Sequence, residues 1–204
     1  MLVAMSSSQP VLGARYLEVI AARRRDLVDL CSQILPCPGT HVLEIGSGHG
    51  HFLTAYAAQH RDRVCVGIDL LGDRVERAER KRVRAKLDNL HFVQAELSLY
   101  LECLPAGAGL RDIFVLFPDP WPKLRHHKHR LIKPSILRLL AQHAAADCRI
   151  YFRTDFLPYY EASVGIFGVA GDWLVVSEPW PFEFETVFQS RAPAHYSLAA
   201  KRRA

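Results

Sequence analysis

The chain has 204 residues, a length typical of one domain, and half of them are hydrophobic, which excludes a protein that is disordered throughout. The formal net charge of +5 is a modest basic excess that is compatible with a polyanionic partner without requiring one. No stretch approaches about 18 continuous apolar residues, and the first residues lack the basic and apolar segments of a signal peptide. We therefore expect neither a membrane span nor secretion.

The number and spacing of the cysteines indicate the redox environment of the protein. There are five of them, an odd number, and no two are spaced as Cys-x-x-Cys. This pattern argues against a disulfide framework and against a cysteine-based zinc site. A reducing, cytoplasmic environment is the expectation.

The apolar pattern predicts alternating helices and strands. In chain order these are a helix over residues 11–34, a strand over 41–45, a helix over 52–59, a strand over 63–69, a helix over 71–87, a strand over 90–95, a helix over 98–104, a strand over 112–117, a helix over 131–145 and a strand over 149–153. Such alternation indicates an α/β fold with a mostly parallel sheet and helices on both faces. Two last strands, over 173–176 and 185–202, are joined by a proline-rich loop and predict an antiparallel edge pair.

A glycine loop follows the first predicted strand. It contains Gly46, Gly48 and Gly50, and Glu44 lies two residues before the first of them. Glycine lets a backbone turn tightly and approach a ligand. Asp69 ends the next strand, where a carboxylate can accept hydrogen bonds from the ribose hydroxyls of a nucleoside cofactor. Ligands of such folds bind at the carboxyl ends of the strands. The alternative is a structural glycine turn beside ordinary acids.

The identity of the cofactor depends on spacing and charge. The glycines are spaced as GxGxG, whereas pyrophosphate-binding loops have GxGxxG, and Glu44 would repel a pyrophosphate. S-adenosylmethionine carries an amino group and a sulfonium, which tolerate this carboxylate, so we favour it over NAD. After the third strand, Ala95 and Glu96 are candidates for contact with the adenine edge. Glu96 is equally compatible with a solvated acid at a helix start.

The fourth strand runs into a proline-rich segment with the sequence FPDPWPK. Prolines on both sides of Asp119 restrict the backbone and make the segment stiff, as a preorganised site requires. Trp121 offers a face on which a purine can stack. Asp119 can point into the cleft, towards the place where the methyl group of the cofactor would lie. The alternative is a rigid surface turn.

The densest basic run of the chain follows at once. It has no intervening acid, and its candidate substrate contacts are Lys123, Arg125, His126, Lys128 and Arg130. A run of this kind beside a catalytic loop is well placed to hold phosphates. Its histidines lack nearby cysteine or acid ligands, so no metal is predicted. A second basic stretch, over residues 74–86, is interleaved with acids and is interpreted as a solvated helix face.

The run FPDPWPKLRHHKHR resembles the signature of the bacterial tRNA (guanine-N7-)-methyltransferases, and the glycine loop, the strand GIDL and the segment Arg153-Thr154-Asp155 occur in the same order as in that family. The resemblance covers about residues 40–200. It implies a Rossmann-like class I methyltransferase fold, S-adenosylmethionine as cofactor and tRNA as partner. It also implies that Asp119 lies at the junction of cofactor and substrate as the candidate catalytic residue. Residues 11–204 would form a single methyltransferase domain after a flexible arm at 1–10, acting as a monomer or weak homodimer.

The resemblance also implies roles near the end of the chain. Asp155 would contact the substrate nucleotide, and the family's Thr-Lys-Phe-Glu stretch corresponds here to a segment with Thr186 and Gln189, followed by Arg191. The family's lysine and glutamate are absent from it, so these C-terminal contacts depart from the pattern. His129 also replaces one arginine of the basic run.

The reaction implied is methylation of N7 of a variable-loop guanosine. N7 carries a lone pair and no proton, so attack on the methyl group needs no base, and the methylated ring is cationic. We expect Asp119 or Asp155 to align the guanine and stabilise that charge. The rival hypotheses are a methyltransferase with another acceptor, a catalytically lapsed RNA-binding module and, least favoured, an NAD-dependent oxidoreductase.

Overall fold

The computed structural model describes residues 11–35, 37–184 and 194–203, with side chains described from residue 17. The helices are α1 (Val11–Ile34), α2 (His51–Gln59), α3 (Gly72–Ala85), α4 (Leu97–Glu102), α5 (Pro134–His143) and α6 (Leu157–Val169), and Leu124–His129 form a short 3-10 helix. The strands are β1 (Gly39–Ile45), β2 (Cys65–Asp69), β3 (Leu90–Gln94), β4 (Ala108–Leu116), β5 (Ala144–Thr154), β6 (Trp173–Val176) and β7 (Tyr196–Arg202).

The strands form one seven-stranded sheet in the order β3-β2-β1-β4-β5-β7-β6. Neighbours from β3 to β5 pair in parallel, whereas β7 is antiparallel to both β5 and β6. The predicted α/β class and the antiparallel C-terminal pair are confirmed. Of the predicted strand over 185–202, only the part from Tyr196 onward is seen as β7; residues 185–193 lie outside the described residues, as do residues 1–10.

Helices cover both faces of the sheet. Along β4, Ile113 and Val115 face a core cluster with α1, α4, α5 and α6, and Phe114 faces a second cluster with α2 and α3. All of them are at most 1 % exposed, as expected for a central strand with alternating side chains and helices on each side. Aromatic side chains from residues 180–184 complete the second cluster.

The observed elements differ from the predicted ones in two regions of the chain. Helix α6 was not predicted, because its sequence contains a proline and two glycines and its apolar residues show no clear helical period. The helix predicted over 131–145 ends at His143, and the strand predicted over 149–153 begins already at Ala144. An apolar stretch that passes from a helix directly into a strand has no local signal at the boundary.

Within residues 11–35, 37–184 and 194–203, none of the helices has the length and hydropathy that crossing a bilayer requires.

Gly50 precedes α2 with a φ of +71°, and an added Cβ would lie 2.5 Å from Cζ of Phe92 and 2.7 Å from Cβ of Ala78. We expect Gly50→Ala to lower the free energy of unfolding by about 2–4 kcal/mol, from overpacking and left-handed backbone strain. Urea unfolding measures this. Gly165→Ala is the matched control, since its Cβ would meet no atom within 4 Å in α6, and it should be neutral or stabilising. An unchanged Gly50→Ala midpoint would contradict the packing described.

Candidate active site

The carboxyl ends of β1, β4 and β5 lie side by side at one edge of the sheet. The chain order reverses between β1 and β4, which is where ligands of open α/β sheets bind. The glycine loop follows β1, the Pro-Asp-Pro-Trp loop follows β4, and Asp155 follows β5. The amide of Phe117 donates to the carbonyl of Arg153 at 2.8 Å, which joins the last two segments. The fold therefore brings the three predicted segments together.

The glycine loop has an open space in front of it. Gly46, Gly48 and Gly50 all have positive φ angles, and a Cβ added at Gly46 or Gly48 would meet no protein atom within 4 Å. The amides of Gly46 and Ser47 donate to the carbonyl of Ile68, at 2.9 and 3.0 Å, which fixes the loop to β2. The loop therefore offers bare backbone to a ligand at the edge of the sheet.

Asp69 holds this loop in place. One carboxylate oxygen accepts from the amide of Gly48 and the other from the amide of Leu71, both at 2.9 Å, and Asp69 is only 7 % exposed. Nη1 of Arg74 lies 3.9 Å from Oδ2 of Asp69. Each carboxylate oxygen can still accept a second hydrogen bond, so Asp69 can position the loop and also bind a pair of hydroxyl groups.

Glu44 is a buried acid with one unsatisfied oxygen. Its side chain lies at the end of β1, 4 % exposed, beside the first turn of α2, where the amide of Leu53 hydrogen-bonds to it. Oε2 has no hydrogen-bond partner among the described residues. Burial, and secondarily the charge of Asp69, hold the pKa of Glu44 well above its usual value. A buried acid with a free oxygen fits a cationic amino group, which would satisfy the oxygen and favour the ionised form.

A cavity of about 390 Å³ lies beyond Asp69, at the end of β3. It is lined by Leu70, Ala95 and Glu96 and covered by Ile20 and Leu27 of α1. Its apolar walls suit a planar base. The part played by α1 was not predicted, because an amphipathic helix far away in sequence carries no signal of what it covers.

The Glu96 carboxylate, which lines this cavity, already accepts hydrogen bonds from the protein backbone. It caps α4, accepting from the amides of Ser98 and Leu99 at 2.8 and 3.1 Å. The helix-start alternative for Glu96 therefore describes its present hydrogen bonds. Ala95 is buried, and the backbone beside it is the better placed of the two predicted adenine contacts.

The Pro-Asp-Pro-Trp loop is strained at both ends. Phe117 and Trp121 have φ angles of +49° and +44°, in a region that bulky side chains rarely adopt and that costs about 1–3 kcal/mol per residue. Between them Asp119 is exposed, and the half-buried Trp121 ring lies 5.1 Å from the ring of His129. Strain of this kind persists only where surrounding contacts fix the backbone.

Arg130 supplies such a contact. It is only 5 % exposed, its Nε donates to the carbonyl of Pro120 at 2.9 Å, and its guanidinium lies 4.7 Å from the centre of the Tyr159 ring. The Tyr159 hydroxyl in turn accepts from the amide of Ile132 at 3.0 Å. The sequence predicts that Arg130 contacts substrate. The structure places it beneath the loop, where it supports the Asp119 segment from inside the protein.

We expect Arg130→Gln to lower the rate of methyl transfer about tenfold, because a displaced loop misaligns the reacting atoms. The salt dependence of tRNA binding should change little, since a buried side chain releases no counterions. Single-turnover rates and binding titrations in increasing salt distinguish the two roles. A clear decrease in salt dependence with an unchanged rate would instead support the direct substrate contact predicted from the sequence.

The remaining residues of the basic run form the 3-10 helix and its start. Lys123, Arg125 and Lys128 are exposed, and His126 is half-buried next to Trp121. In the described part of the chain, no carboxylate lies within 4 Å of these cations, so they are free to meet phosphates. The described residues also contain no group of three or more histidine, cysteine, aspartate or glutamate side chains that could hold a metal ion.

Arg153 organises the site from β5 and was given no role from the sequence. It is 4 % exposed, donates to Glu183 from both terminal nitrogens at 3.0 and 3.1 Å, and lies 3.9 Å from the centre of the Trp180 ring. Its Nε donates to Ser197 of β7 at 2.9 Å. Arg153 thus joins β5 to the loop over residues 180–184. Thr186, Gln189 and Arg191 themselves lie outside the described residues.

Comparisons with solved structures agree with this architecture. The 16S rRNA methyltransferase KamB has a TM-score of 0.60 at 19 % identity, covering 86 % of this chain and 92 % of that one. A 16S rRNA (adenine(1408)-N(1))-methyltransferase from Catenulisporales acidiphilia, solved with its cosubstrate SAM, has a TM-score of 0.57 at 16 % identity, covering 88 % and 91 %. At these identities the likeness concerns the fold alone, which is that of the class I S-adenosylmethionine-dependent methyltransferases.

Sequence comparison identifies the family. A family model described as "Putative methyltransferase" matches residues 39–180. A tRNA (guanine-N(7)-)-methyltransferase of Thermosynechococcus vestitus is 33 % identical, covering 70 % of this chain and 70 % of its own length. One of Leifsonia xyli subsp. xyli is 31 % identical, covering 69 % of this chain but only 62 % of the relative, less than two thirds. The chain belongs to the tRNA (guanine-N(7)-)-methyltransferase family.

Proposed function

We propose that this protein transfers the methyl group of S-adenosylmethionine to N7 of a guanosine in the variable loop of tRNA. The relatives' names support the reaction and the acceptor. The observation that carries the proposal is the strained Pro-Asp-Pro-Trp loop beside the glycine loop, followed at once by an unpaired basic 3-10 helix. A small-molecule acceptor would have no use for that basic helix, whereas RNA phosphates would.

The cofactor supplies a methyl group on a positively charged sulfur. Glu44, with its buried unsatisfied oxygen, would accept from the amino group, and Asp69 would accept from the ribose hydroxyls. Gly46 and Gly48 leave space for the part of the cofactor that joins its amino group to its ribose. The backbone at Ala95 and the cavity beside Glu96 would hold the adenine.

The residues that face the RNA have to align the guanine and stabilise the positive charge that develops on its ring. A bond forms between N7 and the methyl carbon as the sulfur–carbon bond breaks, its electron pair stays on sulfur, and the positive charge passes to the guanine ring. Asp119 or Asp155 would accept from N1–H and the 2-amino group, which selects guanine over adenine and places negative charge near the ring. Trp121 would stack on the purine.

Phosphates of the tRNA would contact the exposed basic run, namely Lys123, Arg125, His126 and Lys128. Arg130 would support the Pro-Asp-Pro-Trp loop through its hydrogen bond to Pro120. We propose that Thr186, Gln189 and Arg191 add contacts to the same nucleotide. All these residues belong to one chain, so a single domain over 11–204, acting as a monomer or weak homodimer, is sufficient. The free cysteines suit a cytoplasmic location.

The test is transfer of radiolabelled methyl from S-adenosylmethionine to an unmodified tRNA transcript, followed by borohydride–aniline cleavage at 7-methylguanosine. Cleavage at one variable-loop guanosine would establish cofactor, acceptor and atom together. Cofactor binding without transfer to any tRNA would indicate another acceptor. A protein that binds tRNA but not the cofactor would be a lapsed RNA-binding module.

A further inference from the structure

A second basic surface lies on α3, away from the 3-10 helix. Six side chains line a solvent-open cavity of about 320 Å³ there, namely His49, His51, Arg77, Arg80, Lys81 and Arg84. The last four recur every three or four residues and so share one face of α3. The two histidines come from the glycine loop and the start of α2. We call these six residues the α3 basic surface.

Among the described residues, the acids of α3 form no ion pair with the cations of this surface. Glu79 faces β3, where its oxygens accept from Nε of Arg82 at 2.7 Å and from the amide of Phe92 at 2.9 Å. Asp73 and Glu76 precede Arg77 and Arg80 by four residues, but in the described structure neither forms an ion pair with them within 4 Å. The sequence interpretation of residues 74–86 as a solvated helix face therefore leaves out that several of its cations line one cavity.

The cations are held close together and next to the candidate site. The Lys81 ammonium donates to the carbonyl of His49 at 2.7 Å, which anchors it to the glycine loop. Burial, and then the nearby arginines, lower the pKa of Lys81, and burial followed by Lys81 lowers the pKa of His51. Cations that repel one another without an acidic partner gain most from a bound anion.

The position of this surface indicates a long anion. From Arg77 to Arg84, α3 rises about 10 Å, which exceeds a single phosphate group and suits consecutive phosphates of a polynucleotide. The strand order places β1 between β2 and β4, so α3, which follows β2, and the 3-10 helix, which follows β4, flank the glycine loop on opposite sides. An RNA that contacts both basic surfaces would therefore pass the glycine loop.

We propose that the α3 basic surface binds the phosphodiester backbone of the RNA substrate at a distance from the target guanosine. This inference rests on the proposed function and extends it, since it adds a second RNA contact on the cofactor side of the cleft. Arginines of this kind position an RNA without reading its sequence. They would hold the tRNA body while the target nucleotide enters the site.

The test compares the wild type with the triple variant Arg77→Gln/Arg80→Gln/Arg84→Gln. Binding of an unmodified tRNA transcript is titrated at several salt concentrations. Each phosphate contact contributes about 0.7–0.9 to the slope of log affinity against log salt, so we expect the slope to become shallower by about 2. The affinity at low salt should fall roughly 10- to 100-fold. The single charge reversal Arg80→Glu should change both quantities in the same direction.

Arg138→Gln is the matched control, because Arg138 is an exposed arginine on α5, across the sheet from α3. It should bind tRNA like the wild type. Binding of S-adenosylhomocysteine by every variant shows that the fold is intact. A triple variant with wild-type affinity and slope would overturn the inference. Failure of the wild type to methylate tRNA would instead overturn the proposed function, and the two results are obtained from separate measurements.

Discussion

Asp119→Asn is expected to lower the single-turnover rate of methyl transfer to tRNA by about 10²- to 10³-fold. The amide has nearly the size of the carboxylate but no charge, and only one of its two terminal atoms is an acceptor, so it cannot accept from guanine N1–H and from the 2-amino group on separate oxygens. Asp119 is exposed at the centre of a loop that positive-φ residues and Arg130 hold rigid, so little rearrangement can compensate. Cofactor affinity should fall far less than the rate.

Rapid-quench measurements with saturating tRNA and labelled S-adenosylmethionine give this rate directly. Asp147→Asn is a suitable control, since Asp147 is an exposed acid near the amino end of β5, away from the site, and its rate should match the wild type. Full activity of Asp119→Asn with intact cofactor binding would remove Asp119 from this role. Asp155→Asn would then be the variant expected to lose the rate.

Glu44→Gln is expected to weaken binding of S-adenosylmethionine by about 2–3 kcal/mol, roughly 30- to 150-fold. The carboxylate is buried, and its free oxygen would otherwise meet the amino group of the cofactor. Glutamine keeps the shape and removes the charge. Glu161→Gln, an exposed position on α6, should leave the affinity unchanged. A wild-type dissociation constant for Glu44→Gln would exclude the proposed contact.

The pH dependence gives a second measurement of the same contact. The pKa of Glu44 is raised in the free protein, so at low pH the acid is protonated and a cationic amino group gains little from it. Affinity of the wild type should therefore rise as the pH increases through this raised pKa and then level off, while Glu44→Gln stays flat. Calorimetry between about pH 5 and pH 7.5 keeps the amino group of the ligand largely protonated.

The free energy of unfolding of the cofactor-free protein should depend on pH in the opposite direction. A raised pKa in the folded state means that ionised Glu44 opposes folding, so this stability is complete below the pKa of the unfolded chain and decreases as the pH rises towards the folded pKa. Glu44→Gln removes this decrease. At pH 7 the variant should be at least as stable as the wild type, although it binds the cofactor less tightly.

The local patterns of the sequence were sufficient for the architecture and for bringing the predicted site segments to one edge of the sheet. Buried strands such as β4 are short apolar runs, and the glycines after β1 and the prolines after β4 mark turns whose dihedral angles few other residues accept. Because consecutive parallel strands end at the same edge, these motifs predict one another's location without any knowledge of packing.

Tertiary structure alone decided which charged residues are exposed and which support the fold. Arg130 has the same basic character as Arg125 in the sequence, yet it lies under the loop, bound to the carbonyl of Pro120. Acids and bases are interleaved along α3, but Glu79 turns to β3 whereas Arg77, Arg80 and Arg84 line a solvent-open cavity. Burial and hydrogen-bond partners come from segments distant in sequence, and a residue's type and spacing determine neither of them.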